Sequence, residues 1–332
     1  MNPTLYIGGD LDKSKCVISA WNEKGNCLWE GSVKPTEDGF RRFLDQFPGF
    51  RYKMALEATG FIWHAVDILQ DLGVDVSVVN PMKNHLIGTS RKKTDLEDAR
   101  KLSNLLRTGY LPTIYIPTKE ERKLRDLVRD KAGLVRHRTR LKSQTRSILL
   151  QNGVRVSKPW SKEGRARLEE IKDKRVHRRL RILDAVDEEV KDAMKDIKGK
   201  VRITEEAKII MSAPGIGEYS AMLILGEICD IKRFESPKKF TAYSGLVPGV
   251  RQTGSTTRMG PIRKDSNSWL TWIFIQCAWA AIRTDKKLKG FYLKKKKHKG
   301  SKKAIVAVAR KLSTYVYWML TKNVRYDMLV ST

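Results

Sequence analysis

Along the first 117 residues the spacing of apolar positions keeps switching between two and three-to-four. Residues 4 to 10, 15 to 22 and 26 to 33 read as three strands, the last two joined by the turn-rich stretch Asn22-Glu23-Lys24-Gly25-Asn26, which suits a hairpin. An amphipathic helix at 37 to 47 follows, then a strand at 52 to 57, a helix at 61 to 72, a strand at 74 to 79 and a helix beginning near Asp95. From 119 to about 198 the chain is charged and almost free of aromatic residues, and Asn152-Gly153 and Pro159 divide it into two long helical patterns. The first carries Leu127, Leu134, Leu141 and Ile148 at seven-residue spacing; the second carries Leu180, Leu183, Val186, Val190, Met194 and Ile197 at three and four. This predicts a helical hairpin or coiled coil. The alternative is two amphipathic helices on an ordinary core, because Lys131 and Arg138 fall where a coiled-coil seam takes apolar residues.

The order β-β-β-α-β-α-β-α is that of a ribonuclease H-like domain, in which the first strand is central and acids collect at strand ends and on the last helix. The predicted fold class is therefore α/β, with an N-terminal ribonuclease H-like (RuvC-like) domain at 1–118, a helical coiled-coil middle at 119–200 and a mainly α C-terminal domain at 201–332. In the third segment Ala213-Pro214-Gly215-Ile216-Gly217 lies between helical patterns and precedes Ser220-Ala221, like a helix-hairpin-helix. There a glycine turn lets backbone N–H groups approach a phosphate, so Gly215 and Gly217 are candidate nucleic-acid contacts, a plain turn being the alternative. Farther on, Gly245-Leu246-Val247-Pro248 leads into Arg251-Gln252-Thr253-Gly254-Ser255, read as a polar loop. No internal repeat is apparent.

Charge narrows the partners. Lys+Arg number 66 against 37 Asp+Glu in 332 residues, a formal net charge of +29. A charge of that size strains a compact state by self-repulsion unless a polyanion binds it, which makes nucleic acid the natural partner. The densest basic run, Lys286 to Lys303, holds Lys294, Lys295, Lys296 and Lys297 beside Phe291 and Tyr292 and reads as a flexible basic loop on a phosphate backbone, with Arg251 as a further contact. The longest apolar stretch, Trp272 to Ile282, is interrupted by Gln276 and falls short of the ~18 residues that suggest a membrane span. With no signal peptide after Met1 and four cysteines lacking CxxC or zinc spacing, the reading is a cytoplasmic protein with reduced thiols and no membrane.

Against that background four carboxylates stand out. Asp10 and Glu57 follow the apolar runs Leu5-Tyr6-Ile7 and Met54-Ala55-Leu56, as at strand ends, and Asp95 and Asp98 lie three apart, on one face of a helix. Hard oxygen ligands from separate elements suit Mg²⁺ or Mn²⁺ acting on a phosphodiester. The plainer reading is that Asp95 and Asp98 cap a helix behind Thr94 and that Glu57 is a surface acid.

Six blocks in order carry a family resemblance: Ile7-Gly8-Gly9-Asp10, Leu56-Glu57-Ala58-Thr59-Gly60, Lys93-Thr94-Asp95-Leu96-Glu97-Asp98-Ala99-Arg100, Pro214-Gly215-Ile216-Gly217, Gly245-Leu246-Val247-Pro248 and Ala307-Val308-Ala309-Arg310-Lys311-Leu312. Over nearly its whole length the chain resembles the DEDD transposases of bacterial and archaeal insertion sequences, the IS-one-ten family. The resemblance implies a RuvC-like domain, a coiled coil joining a dimer or tetramer, and a C-terminal transposase domain. It also implies a noncoding bridge RNA that pairs with donor and target DNA. By the same resemblance Asp10, Glu57, Asp95 and Asp98 hold a divalent metal, and a serine in a Tyr-x-Ser-Gly loop is the nucleophile.

Here the chain departs from the family. Counted from Pro248, that serine falls on Thr253, a more hindered secondary alcohol. Ser255 stands two residues on, ~6.5 Å away in extended chain. Ser266 replaces a glycine of the family's Lys-x-Gly, and Thr271 replaces the arginine after Leu270. The reading is a DNA transposase or recombinase. Its alternatives are a nucleic-acid-binding relative without strand exchange, or a metal-dependent junction-resolving nuclease.

Overall fold

A computed structural model describes residues 2–81, 94–253, 256–262 and 266–331, without the side chains of 250–253, 256–259 and 261–262. The chain divides into two compact units, Met1–Ile116 and Pro117–Thr332.

In the first unit a six-stranded mixed sheet runs β3-β2-β1-β4-β5-β6. Its strands are β1 (Thr4–Leu11), β2 (Cys16–Trp21), β3 (Cys27–Val33), β4 (Arg51–Glu57), β5 (Asp75–Val79) and the short β6 (Thr113–Ile114). β1 pairs antiparallel with β2 and parallel with β4, so it is central, in keeping with a ribonuclease H-like arrangement. The two faces are covered differently. Leu5 and Ile7 of β1 pack with Phe40 and Phe43 of α1 (Glu37–Leu44) and with Ile62, Ala65 and Val66 of α2 (Ile62–Asp71). On the other face Ala55 and Val79 pack with Leu102 of α3 (Asp95–Thr108). Every predicted strand and helix of this unit is present; β6, two residues long, carries too little pattern to be read from sequence.

The second unit begins with α4 (Lys119–Gln151), opened by a capping box between Thr118 and Glu121. The short α5 (Lys162–Glu169) connects it to α6 (Lys174–Ile203), and α4 and α6 lie against one another. At the far end Ile148 and Leu149 meet Leu168, Val176 and Leu180 in a small core of their own. At the near end Val128, Ile197 and Val201 join the main core of the unit. The two long helices thus form a hairpin that has a small core at one end and packs on the main core at the other. The two seam charges are absorbed locally: the Lys131 ammonium lies 3.7 Å from the centre of the Tyr219 ring, and Arg138 reaches Asp187 of α6 at 3.3 Å. Burial, helped by the charge of Arg138, pulls the Lys131 pKa down.

The main core is helical: α7 (Glu205–Met211), α8 (Glu218–Ile228), α9 (Pro237–Tyr243), α10 (Ser268–Thr284) and α11 (Lys286–Lys322), followed by α12 (Tyr326–Ser331). Two expectations are corrected here. The stretch read as a polar loop is a pair of antiparallel strands, β7 (Pro248–Thr253) with β8 (Thr256–Ile262), a β-hairpin; its threonines favour strands. The basic run read as a flexible loop is helical. Asp285 caps it, accepting from the Leu288 backbone N–H at 2.7 Å, and Leu288 and Tyr292 anchor it in the core. Lysine is itself a good helix former. Gly300 then breaks the helix with φ +74°. The chain folds back there, since Tyr292 and Ser301 share a 2.8 Å hydrogen bond and Lys311 lies over the Phe291 ring at 5.1 Å. Along a straight helix residues 291 and 311 would be ~30 Å apart.

Candidate functional site

Asp10 and Glu57 are brought together by strand register. Gly9 of β1 is opposite Leu56 of the parallel β4, so the next step places Asp10 beside Glu57 at the ends of adjacent strands. Both continue the face that α3 covers, because side chains alternate along a strand. Gly8 explains how α3 comes so close: a Cβ there would run into the Ala99 carbonyl and crowd the Ser103 backbone N–H. Ser103 locks the contact, its hydroxyl donating to Ser19 O at 2.6 Å and Ala99 O at 2.9 Å. Two residues beyond Gly8, Asp10 then stands near the first turn of α3, where Thr94 caps the helix by accepting from Glu97 N–H at 3.2 Å and Asp95 and Asp98 follow.

The four carboxylates share one electrostatic neighbourhood. Asp10 is held above the ordinary carboxylate range, first by burial and then by the charges of Asp95, Asp98 and Glu57, with Lys15 opposing. Lys15, from the turn between β1 and β2, gives Asp95 a 2.8 Å ion pair that lowers its pKa. Arg100 braces the helix from outside, donating to Glu30 of β3 at 2.7 and 2.6 Å and to Glu97 at 2.7 Å. The acids are neighbours rather than a closed cage. Among the described residues no three carboxylate, imidazole or thiol groups stand close enough to hold one ion. The donor set nevertheless fits a hard divalent cation: it is all oxygen, and among the described residues Lys15 is the cation that opposes the burial and mutual repulsion raising Asp10. Lys15 and Arg100 are the residues sequence reasoning missed. Their partners lie 80 and 70 positions away, and nothing local marks either pair.

In the second unit Thr253 is the last residue of β7, opposite Thr256, with Gly254 and Ser255, outside the described residues, between them. Arg251 sits opposite Arg258. The helical core of this unit holds a buried polar network at the start of α10. Glu227 of α8, its side chain fully buried, accepts from Arg129 of α4 at 2.6 and 2.8 Å and from Asn267 at 2.7 Å. Asn267 in turn caps α10, accepting from the Trp269 and Leu270 N–H groups at 3.0 and 3.1 Å. The two departures Ser266 and Thr271 meet at the Gly245 turn, where φ is +67° and a Cβ would strike both hydroxyl oxygens. Thr271 donates to Ser244 O at 2.8 Å. Gly215, φ +79°, is needed where the turn after α7 meets α10, since a Cβ would collide with the Cys277 carbonyl. Gly217 caps α8 and donates its N–H to Ser220 Oγ at 2.9 Å. Lys294, Lys296 and Lys297 are exposed and Lys295 half-buried on the arm of α11 before Gly300.

With an acid-lined strand edge in one unit and a strongly basic helical second unit, the molecule has the two halves of a protein that handles polynucleotides. Comparison with known families gives the kind. Residues 7–153 match a family described as transposase, of the IS110 DEDD type, and residues 207–293 match the transposase family IS116/IS110/IS902. The chain belongs to this family of insertion-sequence transposases. It is similar to a putative transposase, y4qE, of Sinorhizobium fredii, at 27% identity covering 82% of this chain and 71% of that one. The transposase for insertion sequence element IS1111A of Coxiella burnetii is 25% identical over 98% of this chain and 92% of its own. A pilin gene-inverting protein of Moraxella bovis is 25% identical over 97% of both. Among the described residues no helix is long and apolar enough to cross a membrane.

Proposed function

We propose that this chain is a DNA transposase or recombinase of an insertion sequence, cutting and rejoining strands with Mg²⁺ or Mn²⁺ and a hydroxyl nucleophile. The observation that carries the reading is the gathering of Asp10, Glu57, Asp95 and Asp98 on one side of the sheet, in a chain that matches both transposase family models in order. These four carboxylates would hold the metal, which would neutralise charge at the attacked phosphate. Thr253 Oγ1 attacks phosphorus. A Thr–O–P bond forms as the P–O bond to the leaving nucleoside oxygen breaks; the threonine proton is lost and the leaving oxygen gains one. Counted along the chain, this hydroxyl stands where a relative's serine would, at the last residue of β7. A noncoding guide RNA, donor and target DNA, and a homodimer or homotetramer joined through α4 and α6 complete the proposal, supported by the family and the +29 charge.

Incubation with guide RNA, Mg²⁺ and labelled donor DNA should trap a covalent protein–DNA adduct. Thr253→Ala should abolish it and Thr253→Ser should keep or raise its rate, since serine is less hindered. Loss of the adduct on Ser255→Ala but not Thr253→Ala would move the nucleophile two residues. The convergence of Ser266 and Thr271 on the Gly245 turn favours one second reading, a binding relative without strand exchange. Tight nucleic-acid binding with no adduct from any variant would select it.

A further inference from the structure

The first two turns of α10 carry an aromatic pair that neither the acids nor the β-hairpin uses. Trp269 and Trp272 meet edge to face, ring centres 6.2 Å apart and planes at 78°. Trp269 is half-buried under two guanidinium groups, Arg136 at 4.4 Å and Arg129 at 5.5 Å from its ring centre. Trp272 is 42% exposed, unusual for the largest apolar side chain in a helix whose opposite face is core. Arg129, Arg136 and the exposed Arg140 recur at seven and four residues on α4, so they form one cationic stripe leading from the indoles.

We propose that Trp272, backed by Trp269, is a stacking platform for an unpaired base of single-stranded DNA, with the Arg136–Arg140 stripe taking the adjoining phosphates. An aromatic face beside a track of guanidiniums is what a sequence-tolerant single-strand site requires: the ring takes the base, which a duplex keeps stacked inside, and the arginines take the backbone. A protein-docking patch would leave the cationic stripe without a role, whereas a polyanion uses both halves. The position also suits the polymer. Along the chain α10 begins six residues after the β8 strand ends at Ile262, so platform and hairpin belong to consecutive elements. The inference rests on the strand-transfer reading for the choice of DNA; the adduct assay and the binding assay below fail independently.

The test is the affinity of the full chain for fluorescein-labelled oligothymidylate, an abasic oligomer of equal length, a duplex and oligouridylate. Trp272→Ala should weaken oligothymidylate binding by about 5-fold to 100-fold or more, the range of one stacked base, while abasic and duplex binding stay within about two-fold. Trp272→Phe, which keeps a ring, should recover most of the loss, and it stands in if the alanine variant melts early. Arg136→Ala should weaken all four ligands and lower the salt dependence of binding. Unchanged oligothymidylate binding in Trp272→Ala, or equal losses on abasic and duplex ligands, overturns the platform. A loss confined to oligouridylate overturns the choice of DNA.

Discussion

The acid edge of the first unit and the β-hairpin of the second are built on opposite principles. Asp10 and Glu57 end strands that lie inside a covered sheet, and Asp95 and Asp98 begin a helix pressed onto that sheet through Gly8. The backbone carrying each acid is thus fixed by a packed core. Thr253 ends a two-stranded ribbon whose packing is mainly between its own strands, in a unit where Glu227, Arg129 and Asn267 form a buried polar network and Ser266 and Thr271 meet at the Gly245 turn. The contrast teaches that one region is set by close packing on a core and the other mainly by its own two-stranded ladder. Each should break in its own way.

The largest effect should come from Gly8→Ala. Its methyl would meet backbone atoms of α3 rather than a flexible side chain, so the helix must lift off the sheet. Denaturant unfolding should show a loss of about 3 kcal/mol or more, the upper range of overpacking, confined to the first unit's transition. A variant as stable as the wild type would mean that packing does not set the acid edge.

Next in size is Glu227→Ala, which should cost roughly 2–3 kcal/mol in the second unit. The figure lies below that for a fully buried pair because Arg129 keeps 39% exposure and can regain water. Adduct formation by Thr253 should fall more than global stability accounts for, measured at a temperature where the variant is fully folded. Equal adduct rates would detach the ribbon from this network.

A double-mutant cycle sharpens the same region. Thr271→Arg alone removes the bond to Ser244 O and forces a long side chain against the Gly245 turn. Combined with Ser266→Gly, which restores the family's pair, it should destabilise less than the sum of the single changes, with a coupling of about 0.5–2 kcal/mol. Strict additivity would show that the two departures are independent.

A smaller loss of stability in denaturant unfolding is expected from Arg100→Ala, because the Glu30 and Glu97 pairs are part-exposed and screened by salt. The smallest concerns pH. The folded pKa of Asp10 lies above its unfolded value near 3.8, so its contribution to stability is full below that value and is lost as pH rises through the folded pKa. Asp10→Asn should flatten this fall in a stability–pH profile taken upward from the ordinary carboxylate range. A wild-type profile without the fall would mean that neither burial nor the neighbouring acids raise Asp10.

The sequence by itself determined the elements of the first unit, the two long helices and the four acids, because period, turn residues and strand-ending carboxylates are local signals read over a few residues. It misjudged Pro248–Ile262 and Lys286–Lys303, where polar sequence conceals regular structure: the ribbon is rich in polar residues on both sides of its period, and the lysine helix is anchored by a few apolar residues, Leu288, Phe291 and Tyr292. Only the tertiary structure decided how Lys15 meets Asp95, how Arg129 and Asn267 close on Glu227, and how Ser266 and Thr271 share one turn. Each is a pair of groups far apart in the chain, joined by Coulomb and hydrogen-bond forces that act over a few ångströms of space and leave no period in the sequence.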